Sequence, residues 1–261
     1  SVAGPMARSV EDLALMMSVL SGPDDRSPIA LESPGSIFNI PLQRNLKGCK
    51  VAYSEDLGGL PLEPEVRTVM RAAREVFERL GCDVIDDEID LSEAGEIFMM
   101  WRAWRTELRI APLLTSHKDQ LKDTVIWNAE QGVGLTGPQM ARAEAKRTEI
   151  YHRMREFMNT YEFFVLPVNQ VVPFSVDLDY PREINGVKME TYIDWQKTAY
   201  FISAMGNPAI SVPAGFTDSG LPVGVQIVGG HRQDLAVLQM AYAFEQATQF
   251  GLQRPAICTV A

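Results

Sequence analysis

A strand–helix–strand pattern at residues 48–90 constrains the fold more than any other feature of the chain. GCKVAYS (48–54) is a short apolar run. LEPEVRTVMRAAREVFERLG (62–81) carries Pro64 in its first turn and Gly81 past its end. A proline there lacks only an amide that the helix would leave unbonded, and a terminal glycine takes the left-handed turn without steric cost. Val66, Val69, Met70, Ala73, Phe77 and Leu80 recur with a helical period and form one apolar stripe. CDVIDDEID (82–90) returns as a second strand. Two strands joined in this way pair in parallel through a right-handed crossover. Such strands are covered on both faces, so the rest of the chain must supply helices.

It does. SVEDLALMMSVLSG (9–22) reads as a helix with Ser9 as its N-cap, Asp12 three residues on and Gly22 at its close. Residues 22–46 are rich in Pro, Ser, Gly and Asp without a period, and read as a long loop. Residues 93–160 are helical in pattern, with an interruption expected at Pro112 and a second start at Thr136, where Pro138 falls in the first turn. YEFFVLPV (161–168) is an apolar strand that Pro167 ends, and a polar loop follows over 169–190. TYIDWQKTAYFISAMG (191–206) predicts a helix closed by Gly206. NPAISVPAG (207–215) and LPVGVQIVGG (221–230) are strands joined by FTDSG, the first confined between its two prolines. QDLAVLQMAYAFEQAT (233–248) is the last helix, with Asp234 as the expected cap. The class is α/β.

Bulk properties exclude several functions. The apolar share of 46% and charged share of 22% are those of a soluble globular chain. The formal charge of −10, with both signs interspersed, argues against nucleic acid as a partner, which needs clustered Lys and Arg. No stretch approaches the roughly 20 apolar residues of a membrane span. Residue 1 opens onto a loop and a capped helix, so no signal peptide is expected. Cys49, Cys82 and Cys258 cannot all pair and form no CxxC, and His117, His152 and His231 are scattered. That pattern fits a reducing, cytoplasmic setting without structural zinc.

Candidate reactive groups are sparse. Ser211 lies between Ile210 and Val212, and no GxSxG exists to expose a nucleophile. It reads as a buried strand serine whose hydroxyl bonds to backbone. Cys49 and Cys82 sit at strand starts and read as small core residues. His152 and His231 read as solvated. HExxH, GxGxxG and the P-loop are absent. The acidic run Asp86, Asp87, Glu88 and Asp90 reads as an exposed strand end. Trp101 and Trp104 lie three apart beside Met99 and Met100; they suit either core packing or the wall of a hydrophobic ligand pocket. The residues alone assemble no complete catalytic set.

Three stretches together point to a family. GPMARSVEDLALMMSVLSGPDDRSP (4–28), YEFFVLPVNQVVPF (161–174) and GNPAISVPAGFTDSGLPVGVQIVGG (206–230) resemble segments of the amidase signature hydrolases, in the family's order, and AFEQAT (243–248) resembles its last helix. The resemblance implies a mixed β-sheet flanked by helices, with residues 1–261 forming the C-terminal portion of a single amidase domain. It implies hydrolysis of a carboxylic acid amide to an acid plus ammonia or an amine. The family's triad is a lysine, a serine on a cis peptide bond and a nucleophilic serine, and it uses no cofactor and no metal. Its Gly/Ser-rich signature precedes the GPMAR segment, which here begins at Gly4. The expectation is therefore that the triad lies upstream of residue 1, that no residue of this chain is catalytic, and that the chain alone is inactive. The resemblance places Trp101, Asn169, Gln170 and Asn207 in or near the substrate pocket, with Asn207 either reaching substrate or holding the turn between helix and strand; relatives usually carry threonines where Asn169 and Gln170 stand. The expected partners are a small-molecule amide and either the N-terminal portion or further copies of this chain in a homo-oligomer, with no nucleic acid and no membrane. The alternative is a truncated, non-catalytic binding or assembly module built on the same fold.

Overall fold

The structure, a computed structural model, describes residues 3–254; Cys258 lies outside them. In chain order the elements are α1 (Val10–Leu20), β1 (Lys50–Tyr53), α2 (Pro64–Arg79), β2 (Asp83–Asp86), α3 (Ala94–Ser116), α4 (Asp123–Gly132) and α5 (Gly137–Phe157). There follow β3 (Phe163–Pro167), β4 (Glu183–Ile184), β5 (Val187–Lys188), α6 (Lys197–Met205), β6 (Ala209–Phe216), β7 (Pro222–Gly229) and α7 (Asp234–Thr248). Two helix starts are fixed by side chains. The Ser9 hydroxyl accepts from the Asp12 amide at 3.1 Å, and Thr136 and Gln139 cap α5 reciprocally.

The main sheet runs β2-β1-β3-β7-β6. β1 pairs in parallel with β2 and β3, and β7 is antiparallel to both β3 and β6. The expected crossover at 48–90 is in place, and the sheet is mixed with helices on both faces. Alternate residues divide between those faces. Val51, Tyr53, Phe163, Val165, Val225 and Ile227 pack with α1, α2 and α7. Ala52, Phe164, Leu166 and Val228 pack with α3, α5 and α6. This explains why FFVLP is an unbroken apolar run: every residue of β3 is buried. Among the described residues no helix is long and apolar enough to cross a membrane.

Five details differ from the sequence reading. Pro112 does not interrupt α3, which continues to Ser116. The carbonyl that loses its partner belongs to Leu108, which is 68% exposed and open to water. The Ser116 hydroxyl, donating to the Pro112 carbonyl at 2.9 Å, carries the last turn on. Pro213 does not bound its strand either. β6 runs through it as an edge strand, with a register shift between Pro213 and Gly215, and an edge has a side where no donor is required. Asp234 is the first residue of α7, not its cap; Gln233 holds the cap position without a side-chain bond. The helix expected from 191 begins at Lys197, after a 3-10 turn over Asp194–Gln196. The loop 169–190 contains the β4–β5 hairpin, turned by Asn185 and Gly186 at positive φ.

Candidate functional site

In open α/β sheets ligands bind outside the carboxyl ends of the strands. Here β1 and β3 run in the same direction, and the chain leaving β3 forms one wall of a cleft of about 260 Å³. Val168, Asn169, Val171, Val172, Pro173 and Phe174 come from that segment, Trp195 from the turn before α6, and Ser211, Val223 and Gly224 from β6 and β7. Phe174 and Trp195 meet edge to face with centroids 5.3 Å apart. No Asp, Glu, Lys, Arg or His lines the cleft. Its polar groups are the Asn169 amide and the Ser211 hydroxyl.

Three buried polar residues hold the 168–172 segment. Gln170 is fully buried. Its amide nitrogen donates to the Pro61 carbonyl and its oxygen accepts from the Lys197 amide, both at 2.9 Å. The Thr198 hydroxyl donates to the Val168 carbonyl at 2.8 Å, and the Gln226 amide donates to the Thr198 carbonyl at 3.1 Å. The Trp195 indole donates to the Tyr192 carbonyl at 2.9 Å. The Tyr192 hydroxyl in turn accepts from Arg102 at 2.7 Å and from the Asn128 amide. Helices α3 and α4 thus brace one cleft wall through Tyr192.

The residues singled out from sequence do not gather in one place. Asn169 lines the cleft. Gln170 is adjacent in sequence but its amide is committed to backbone. Trp101 packs against the second core face and meets Trp104 edge to face at 5.4 Å; its indole nitrogen is buried with no partner among the described residues. Asn207 lies at the other end of β7, roughly 20 Å from the cleft by strand rise. Its side-chain nitrogen donates to the Gly229 carbonyl at 2.8 Å, and its oxygen is buried with no partner among the described residues. It lines a second cavity, of about 380 Å³, with Tyr151, Arg155, Tyr161, Glu162 and His231. Burial alone pushes the Glu162 carboxyl up, but Arg44 and the Cys49 thiol, hydrogen-bonded to it, hold it below its ordinary range.

Ser211 is not a buried strand serine. It is exposed on the edge strand, and its hydroxyl has no hydrogen-bond partner among the described residues. Gln226 stands opposite it in the register, and Gly224, on the diagonal, leaves room for the hydroxyl: a Cβ there would come 3.0 Å from the Ser211 oxygen. The alternation of AISVPAGF carries the signal, because Val212 and Ala214 are buried and Ser211 and Pro213 are not. Trp195 and Phe174 carry no comparable signal in the sequence. The acidic run is not idle: Glu88 accepts from the Ser54 hydroxyl and the Gly58 amide at 2.8 Å, and Asp87 from the Tyr161 hydroxyl at 2.6 Å. Among the described residues, no three His, Cys, Asp or Glu side chains gather as ligands for a metal.

A mixed sheet whose strand ends frame an uncharged, aromatic-walled cleft defines the chain as an α/β protein. More narrowly, the chain belongs to the Amidase family, whose model matches residues 1–238. It is 33% identical over 258 residues to an acylamidase of Rhodococcus erythropolis, an alignment covering 97% of this chain and 54% of the relative. It is 26% identical to a subunit of the glutamyl-tRNA(Gln) amidotransferase of Enterococcus faecalis (strain ATCC 700802 / V583), over 97% of this chain and 56% of the relative. Among solved structures, a bacterial aryl acylamidase of the amidase signature family superposes with a TM-score of 0.84 at 25% identity, covering 97% of this chain and 55% of that one. A 6-aminohexanoate cyclic dimer hydrolase shares the fold, with a TM-score of 0.82 at 20% identity over 97% of this chain and 56% of that one. The chain therefore spans about half the length of the curated relatives it matches.

Proposed function

We propose that the chain forms the substrate-pocket portion of an amide hydrolase that splits a carboxylic acid amide into an acid and ammonia or an amine. The observation that carries this reading is the family match over nearly the whole chain. The chemistry of the cleft supports it. An uncharged lining suits a neutral amide, since an ion entering it would lose hydration without gaining a counter-charge. Asn169 offers one donor group and one acceptor, the complement of an amide's own C=O and N–H. Phe174 and Trp195 supply apolar area for an acyl or leaving group. On this reading Asn169 touches substrate and Gln170 acts by holding the segment that carries it. Trp101 supports the cleft from behind the second core face, and Asn207 fixes the far end of β7. The reacting lysine and serines come from polypeptide that the relatives have and this chain does not match. We place the protein in the cytoplasm, where the unbridged Cys49 and Cys82 are at home. Its partners are a small neutral amide and the polypeptide bearing the triad, not nucleic acid.

The test is an assay of the 261 residues on aryl and aliphatic amides, alone and mixed with the separately expressed portion of the Rhodococcus acylamidase that the chain does not match. No turnover is expected alone, and turnover in the mixture. In the mixture Asn169→Leu should raise KM about tenfold with little change in kcat, the mark of a lost uniform contact. Turnover by the chain alone that disappears in Ser211→Ala would place the nucleophile in this cleft and overturn the reading. Amide binding without turnover in the mixture would assign a binding module instead.

A further inference from the structure

Cys49 and Cys82 stand directly before β1 and β2. The parallel register that follows, Lys50 with Asp83, sets the two cysteines side by side, and the Asp83 amide donates to the Cys49 carbonyl at 2.9 Å. Neighbouring strands lie about 4.8 Å apart, within the Cα separation that a disulfide can span. Both side chains are buried in the same core face. Glu162 Oε2 also accepts from the Cys49 thiol at 3.4 Å, and Arg44 holds Glu162 at 2.5 Å. Packing alone does not account for this cluster. Two small apolar residues would fill the same space without drawing a half-buried ion pair to it.

We propose that Cys49 and Cys82 form a thiol–disulfide exchange site that takes small-molecule disulfides as its oxidant and closes to an intrachain disulfide. Cys82 attacks first. The neighbouring Cys49 thiol favours its thiolate over the opposing effects of burial, Asp83 and Glu162, and Arg44 adds to it. Cys49, beside Cys82 and buried with its thiol donating to the Glu162 carboxylate, keeps its proton. The Cys82 thiolate attacks one sulfur of the small disulfide. That S–S bond breaks, and the departing thiolate takes up the proton Cys82 had lost. Cys49 then attacks the Cys82 sulfur of the mixed disulfide, its proton passing through Glu162 to the second departing thiolate. The two protein thiols lose two electrons, one small disulfide gains them, and two small thiols leave. The product straps β2, a four-residue and largely exposed edge strand, to β1. The loop it closes, of about 30 residues, includes all of α2.

The test uses the full chain carrying Cys258→Ser, incubated natively in oxidised and reduced glutathione, quenched in acid, alkylated and weighed. The expected result is joint loss of both alkylatable thiols, a mass lower by two hydrogens, reversal by dithiothreitol, and a Tm raised by roughly 5–10 °C. With Cys49→Ser added, Cys82 should hold a glutathione adduct; with Cys82→Ser instead, Cys49 should stay free. Two thiols that survive native oxidation, or that pair only in urea, overturn the proposal. So does a glutathione adduct on Cys49 in the Cys82→Ser chain. Should either second variant fail to fold, the thiol count on Cys258→Ser decides alone.

Discussion

Gln170 is fully buried, and its amide joins two segments distant in sequence: Pro61 before α2 and Lys197 at the start of α6. Gln170→Leu keeps the bulk but leaves a half-buried carbonyl and a half-buried amide without partners. We expect a loss of about 2–4 kcal/mol by urea unfolding, since each stranded group costs about 1–3. Asn169→Leu, next to it but open to the cleft, should change stability by less than about 0.5 kcal/mol. Glu162 makes a pH-dependent prediction. Its folded pKa lies below the ordinary 4.5, so its contribution is present above that value and is lost as pH falls through the lower folded one. The stability gap between wild type and Glu162→Gln should therefore be widest above pH 4.5 and close as the solution is acidified below it. At this scale the sequence was legible wherever identity fixes environment, as with Ser9 and Thr136. It was not legible where two segments distant in sequence decide together. Nothing near Gln170 announces Pro61 or Lys197, and Ser211 is exposed on a strand whose place at the sheet edge is set by the strand order.

Helices α3 and α4 meet at Gly132. A Cβ there would run into the Ala103 carbonyl oxygen and come 2.5 Å from the Glu107 Cβ. Backbone cannot yield as a side chain does, so the two helices would have to part. Gly132→Ala should destabilise by about 2–3 kcal/mol in thermal melts, although alanine is the better helix former by about 1 kcal/mol. A neutral or stabilising result would show that α4 is free to shift. Elements built on strong periodicity were legible: the α2 stripe, the capped helices, and the parallel pair around the crossover. The exceptions share a cause. Pro112 is tolerated because the carbonyl it frees belongs to an exposed residue, and Pro213 because β6 is an edge. Neither exposure nor strand order is a local property of the sequence.

On the scale of the whole molecule, part of the apolar surface left uncovered lies on α1 and the segment after it. α1 buries Val10 and Ala14 but exposes Leu15, Met16, Val19 and Leu20, with Val19 78% exposed. Ile29, Leu31, Ile37 and Ile40, in the segment that follows α1, are exposed as well. Contiguous apolar patches beyond a few hundred Å² are uncommon on monomers. Both edges of the main sheet are also open among the described residues: β2 is four residues long, and β6 is interrupted by its bulge. The formal charge of −10 opposes self-association at long range, yet at physiological salt it is screened within about 8 Å. Burial of the α1 patch should outweigh that repulsion. We therefore expect the isolated chain, at micromolar concentration, to scatter light as a species larger than its 29.0 kDa, and to associate more strongly as salt is raised. Leu15→Glu with Val19→Glu should return it to the mass of one chain without loss of helix signal. A wild-type chain that already runs as a clean monomer would mean that the α1 face tolerates water, and would remove the reason to expect either a second copy or a companion polypeptide upon it.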